Sequence, residues 1–251
     1  MSGTEQSNSR GRATGTGPSG SPLVGRGDAD RAAAVTRSLL GYGVVVGPFY
    51  VVVGLVQGLT RRGFDLARHD LSLLANGSLG WIQVVTFVLS GLMTLAAAVG
   101  MRRSLRVLGG GPGSVWGPRL VGAYGIGLVG AGIFPADPAY GFPPGTPDGP
   151  PTTVGVGGIE HLVLGGLGFL CLVAGTVVLA RHYASRRRVG MAWFSRATGV
   201  FFLLAFLGIA SGSASPAVVL GFWVGVLVVW TWLAVVSVDL YRRTPLLTPA
   251  I

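Results

Sequence analysis

The stretch "IEHLVLGGLGFLCLVAGTVVLA", Ile159 to Ala180, decides how the rest of the chain is read. From Leu162 to Ala180 it holds no charged residue, and Arg181 stops it. A helix of that length rises about 30 Å, the thickness of a bilayer's hydrocarbon core. A run this long and this apolar reads as a membrane-spanning helix.

Five more blocks of the same kind surround it. The first runs from Ser38 to Leu59 and contains Pro48; the second, Trp81 to Gly100, stops at Arg102 and Arg103. The third, Arg119 to Phe134, is short and glycine-rich. The fifth, Ala197 to Ala214, leads through Pro216 into the sixth, Ala217 to Leu240, which Arg242 and Arg243 stop. Half of the 251 residues are apolar and 11% are charged, against about 25% charged in an ordinary soluble domain. The expected fold class is therefore all-α: a polytopic membrane protein built as a six-transmembrane-helix bundle. Residues 1–37 are rich in Gly, Ser, Thr and Arg and poor in large apolar side chains. Such a segment cannot bury enough surface to offset its ordering entropy. It is expected to be a disordered tail, followed by a transmembrane domain at 38–241 and a short tail at 242–251. The first apolar run starts too late and is too long for a secretory signal.

Orientation follows from the arginines. Fourteen lie near span ends on one side: residues 26, 31, 37, 102, 103, 106, 119, 181, 186, 187, 188, 196, 242 and 243. Only Arg61, Arg62 and Arg68 lie on the other. The positive-inside rule then places both termini in the cytoplasm. The formal charge of +10 comes from arginines gathered between apolar blocks. They form no continuous basic face, so nucleic acid is not an expected partner. Arg186, Arg187 and Arg188 instead set topology and touch anionic lipid. All nineteen basic residues are arginine, and Ala, Val and Gly abound. That bias fits a GC-rich bacterial genome, and the expected location is the bacterial cytoplasmic membrane. The lone Cys171 lies inside a span, where it serves as a small hydrophobe.

A short pattern occurs twice. "WGPRLVG" at Trp116 and "WFSRATG" at Trp193 share W-x-x-R-x-x-G, each at the cytoplasmic start of a span. Gly80 and Gly158 precede them by 36 and 35 residues. Spans two and three would then repeat spans four and five as a parallel helical hairpin.

Polar residues that could do chemistry collect on the outer side. The first outer loop contains "RHDLSLLANGSLGW", Arg68 to Trp81, with His69, Asp70 and Ser72, and Gln83 follows. The second outer loop, between spans three and four, supplies Asp137, Asp148, Glu160 and His161. Five of the nine acidic residues lie on this face. His161 shares a helix face with Gly165, Gly168, Leu172 and Gly175, and Ala123, Gly127 and Ala131 form a matching stripe on span three. Small residues let membrane helices approach closely, so His161 is expected to point inward, with Asp137 brought toward it. Two readings stand for that pair: a ligand- or proton-handling site, or a structural bond tying loop three to span four. Asp70 or Ser72 could likewise simply cap a short helix, "LSLLAN". One expectation follows for all three, that Asp70, Asp137 and His161 share a cavity or a hydrogen-bonded group. The His and carboxylate spacing matches no metal motif, and no cofactor is expected. "GGGPG" at Gly109 has no Walker lysine, and Ser211 has no nucleophile-elbow context.

These residues carry a resemblance. Asp70-x-Ser72-x-Leu74, then Gly80-Trp81-x-Gln83 with Phe87 and Gly91, then "GIFPADPAYGFP" (132–143) and His161, resemble domain of unknown function family 998. These are bacterial and archaeal membrane proteins, and the resemblance runs from about Leu40 to Leu240. It implies about six spans and no established activity, with motif positions at Asp70, Ser72, Trp81, Gln83, Asp137, Pro138 and His161. Three functional classes stay open. One is a non-catalytic module that binds a lipid, small molecule or membrane-protein partner at its outer face. The second is a transporter of a small solute, which must contend with apolar mid-span residues relieved only by Gln57, Gln83 and Cys171. The third is a membrane-embedded hydrolase with Asp70 or Asp137 as base and His161 as acid or ligand.

Overall fold

The computed structural model describes Gly3, residues 22–151 and residues 153–244. Six long helices account for most of it: α1 Pro22–Thr60, α2 Gly80–Val107, α3 Pro112–Ile133, α4 Val156–Ser185, α5 Val189–Ala210 and α6 Pro216–Arg243. A 3-10 helix, Leu71–Ala75, interrupts the loop between α1 and α2. Each long helix packs on the one before it, and α6 returns to pack on α1.

The helices expose many large apolar side chains. In α4 the most apolar window has a mean hydropathy of 2.5, yet only 28% of it is buried. Leu162, Leu167, Leu204 and Val200 all stand more than half exposed. Water would not tolerate that girdle of aliphatic side chains; hydrocarbon would. Five helices, all but α3, are long and apolar enough to cross a membrane by length and composition. Helix α3 matches α5 in length at 22 residues, but seven of its residues are glycine, which lowers its hydropathy. Those glycines are contact points. A Cβ on Gly91 would lie 2.5 Å from the Gly125 carbonyl of α3, and one on Gly127 would lie 2.9 Å from the Gly168 Cα of α4. Helix α3 thus sits deep between α2 and α4.

Inside, Trp230 of α6 stacks against Tyr50 of α1 and Tyr124 of α3, at centroid distances of 5.4 and 5.8 Å. A second aromatic group gathers Phe202, Phe206 and Phe222 around Phe169. The Trp232 indole donates to the Ser195 hydroxyl at 2.9 Å, so a buried polar atom on α6 finds its partner on α5.

Helix ends overrun the expected span ends. Helix α1 begins at Pro22, so residues 22–37 of the segment expected to be disordered are helical. Pro22 suits a first helical position, and the Ala-rich run 29–34 has high helix propensity. The rest of that expected tail lies outside the described residues, Gly3 apart, as do residues 245–251. Helix α2 continues past Arg102 and Arg103 to Val107, and α3 starts seven residues before Arg119. Arginine ends an apolar run without ending a helix, because its long stem stays compatible with helical backbone. Helix α5 starts at Val189 and ends at Ala210, short of Ala214, where Gly212 takes a positive φ of 76°.

The repeated W-x-x-R-x-x-G pattern plays the same part twice. Arg119 lies over the Trp116 ring at 5.3 Å and Arg196 over Trp193 at 5.1 Å. Its glycine faces the preceding helix each time: Gly122 meets Ala98 of α2, and Gly199 meets Thr176 of α4.

Candidate functional site

The polar residues singled out in the sequence gather at the end of the bundle that carries the loops. The segment 61–79 is organised by Arg61, which donates to the Leu74 and Asn76 carbonyls, both at 2.5 Å. Its guanidinium also lies 5.0 Å from the centre of the Phe142 ring. Burial lowers the Arg61 pKa from its ordinary value. Asp70 caps the 3-10 helix: it accepts from the Leu73 amide at 3.2 Å and from the Ser72 hydroxyl at 2.5 Å. At the other end of that helix, Asn76 donates to Leu73 O at 3.2 Å and across to Ala136 O at 3.0 Å.

His69 is 3% exposed and uses both ring nitrogens. The Asp65 amide donates to Nδ1 at 2.9 Å. The proton therefore sits on Nε2, which donates to the Tyr140 carbonyl at 2.9 Å. Phe64 and Phe142 flank the ring. Tyr140, with a positive φ of 55°, sends its hydroxyl to the Gly212 carbonyl at 2.8 Å. The surface pair Arg68–Asp148, at 3.1 Å, joins the same two loops, though such exposed pairs contribute little.

Asp137 and His161 tie α3 to α4. The Gly155 amide, at the N-cap of α4, donates to Asp137 Oδ2 at 2.9 Å. A carboxylate there is favoured by the helix dipole. Gly158 leaves the room, since a Cβ on it would lie 2.0 Å from Asp137 Oδ2. His161 is 8% exposed, and its Nδ1 lies 3.1 Å from Ala131 O and 2.9 Å from Phe134 O. Two carbonyls on one nitrogen require the proton to be there. The expected inward orientation of His161 is what the structure has, and the bonds it makes are of the structural kind.

Hydrogen bonding does not join Asp70, Asp137 and His161 to one another; each is committed to its own backbone partner. Gln83, fully buried, accepts from Gln57 Nε2 at 2.8 Å. Glu160 is half-buried, and its carboxylate makes no hydrogen bond or ion pair among the described residues. Among those residues no group of three His, Cys, Asp or Glu is placed to hold a metal ion. Tyr140 reads in the sequence as an interfacial aromatic, and no local signal marks it as the residue that links all three loops. The hydroxyls on the inner face of α2 were also missed: Thr86, Ser90, Thr94 and Ser104 are all buried there with Gln83.

The bonds rank two substitutions. His161→Ala is expected to cost about 2–3 kcal/mol, through a buried ring and a hydrogen bond that leaves carbonyls unpaired. Asp137→Ala should cost about 1 kcal/mol, as a lost helix cap does. Thermal unfolding in mild detergent, followed by tryptophan fluorescence, measures both. Unchanged stability for His161→Ala would contradict the assignment.

No curated protein and no solved structure matches this chain. The model of one family, Protein of unknown function (DUF998), matches residues 44–239. That match takes in α2 to α5, the later part of α1, most of α6 and the three bonded loops, and the chain belongs to the DUF998 family.

Proposed function

We propose that this is a six-span protein of the bacterial cytoplasmic membrane, with both termini in the cytoplasm. In this reading it is a non-catalytic module that binds a lipid, small ligand or membrane-protein partner at its outer face. One observation carries the reading: the three loops at that end are bonded into a single surface. His69 and Asn76 reach the 134–155 loop through Tyr140 O and Ala136 O, and Tyr140 reaches the 211–215 turn through Gly212 O. A preorganised surface binds with less ordering cost than loose loops would. The antiparallel succession of helices supports α3 as the sixth span and supports the arginine-rich end as cytoplasmic. The hydrolase reading draws no support from the geometry, because Asp70 and Asp137 are occupied as acceptors of backbone amides.

Native mass spectrometry of the full chain released from mild detergent tests the reading, with wild type beside Tyr140→Phe and Asn76→Ala. A defined extra mass on wild type that both variants shed is the expected result. Retention by both variants would move the ligand away from the knitted loops.

A transporter is the second reading, favoured by the buried polar line on α2. The Gln57 Oε1 and Gln83 Nε2 atoms and the Ser90 hydroxyl are buried without partners among the described residues. Solute uptake by vesicles reconstituted with the protein would select that reading over the first.

A further inference from the structure

At the opposite end of the bundle lies a surface that the outer-face reading does not use. Between the C-terminal half of α2 and the first turns of α3 runs a groove of about 380 Å³. Leu95, Val99 and Gly122 give it an apolar part, and Arg102, Arg103, Arg106 and Arg119 give it four guanidiniums. Val99 is 48% exposed, so the groove opens sideways to whatever surrounds the helices.

Two of the arginines are held in place. Pro118 has no N–H, so the Ser114 carbonyl one turn earlier lacks its ladder partner. Arg102 Nη1 donates to that carbonyl at 3.3 Å. Arg119 is stacked on Trp116. The Arg103 and Arg106 side chains are exposed and take part in no hydrogen bond or ion pair among the described residues. Asp239, the acid on α6 at this end, is committed to Arg188 and Arg243. Four positive charges therefore line one groove with no carboxylate among its walls, and their mutual repulsion favours an anion.

The groove also has a direction. Leu95 lies seven residues before Arg102 on α2, about 10 Å along the axis, so the lining changes from charged to apolar toward the middle of the bundle. A free anion would leave the apolar part empty. We infer that this groove binds an anionic phospholipid, its phosphate between Arg102, Arg103, Arg106 and Arg119 and an acyl chain along Leu95 and Val99. Guanidiniums suit the phosphate because their paired N–H groups bond two oxygens at once.

The test uses the full chain in mild detergent, exchanged into synthetic phosphatidylglycerol or phosphatidylcholine and measured by native mass spectrometry. Wild type is expected to keep phosphatidylglycerol and to lose phosphatidylcholine. The double variant R103Q/R106Q should weaken phosphatidylglycerol retention about thirtyfold, from the attraction of two arginines near a lipid surface. R181Q/R242Q removes the same charge from exposed positions elsewhere at this end and should leave retention within about threefold of wild type. Equal losses in the two double variants would mean diffuse surface attraction and overturn the site. Equal retention of the two lipids would overturn it as well. Inorganic phosphate that binds alone and displaces the lipid would make the ligand a free anion. A photoactivatable phosphatidylglycerol on wild type gives an answer that needs no variant. Labelling is expected within residues 95–106 or 116–122, and labelling confined to other helices would refute the assignment.

Discussion

Gly127→Ala is expected to destabilise the protein by about 2–3 kcal/mol, the usual cost of overpacking a close contact. A Cβ at this position would lie 2.8 Å from the Leu164 carbonyl and 2.9 Å from the Gly168 Cα. Both are backbone atoms of α4, so relief requires moving one helix away from the other, and no rotamer change will do. Separation would also strip contacts on either side, where Gly130 meets Leu164 and Gly175 meets Leu120. Membrane helices associate chiefly through such packing, because lipid offers no hydrophobic drive to bring them together. Gly165→Ala is the matched comparison. Nothing lies within 4 Å of a Cβ there, so the change should be neutral or stabilise by up to about 1 kcal/mol through helix propensity. Unfolding of the two variants in the same detergent separates them. Equal stabilities would show that the α3–α4 contact is not what holds these helices together.

That pair of glycines also marks how far the sequence could be read. Periodicity put Gly165 and Gly168 on one face with His161, and it matched that face to α3 correctly. It could not tell that the helices cross nearer Gly168, because a stripe about 100° wide does not specify the crossing point. Helix positions were legible from apolar length, and which loops share an end of the bundle from arginine placement. Helix ends were not, since a charge that stops an apolar run leaves backbone hydrogen bonding intact. The sequence offered the cap that Asp70 forms, but not the partners of Asp137 and His161. Asp137 and His161 satisfy main-chain groups distant in sequence, Phe134 O for His161 and Gly155 N–H for Asp137. No pattern in the chain records a bond to a backbone group distant in sequence. The polar line on α2 stayed hidden for a related reason: threonine and serine hide in a span by bonding the carbonyl one turn back, as Thr86 does to Ile82 and Thr94 to Ser90.

Asp239→Asn should be the other costly change, at about 2–3 kcal/mol, below the full loss for breaking a deeply buried ion pair because this one is partly solvated. Asp239 was one acid among nine in the sequence, placed in the last turns of a span where nothing distinguished it. In the fold, its carboxylate takes both guanidinium nitrogens of Arg188, Oδ1 at 2.7 Å from Nη2. Arg243, one turn on, lies 3.9 Å away. Arg188 is the N-cap residue of α5, so the pair fastens the start of α5 to the end of α6. Arg188 also lies 5.4 Å from the centre of the Tyr183 ring on α4, so three helices meet there. The hydrogen bond to Asp239 raises the Arg188 pKa above its ordinary value. A raised cation stabilises fully below the unfolded value and loses its contribution only as pH rises through the folded one. For arginine both lie far on the alkaline side, so the Arg188 half of the pair adds no pH dependence at working pH. Asparagine keeps the shape and one acceptor but leaves Arg188 and Arg243 facing each other without a negative charge between them. Arg188→Ala combined with Asp239→Ala should recover part of the loss, because it removes both charges together. A double-mutant cycle on unfolding free energy would then give a coupling of about 1–2 kcal/mol. Additive losses would mean that α5 and α6 are held by the apolar contacts around Trp232 and that the ion pair contributes nothing of its own.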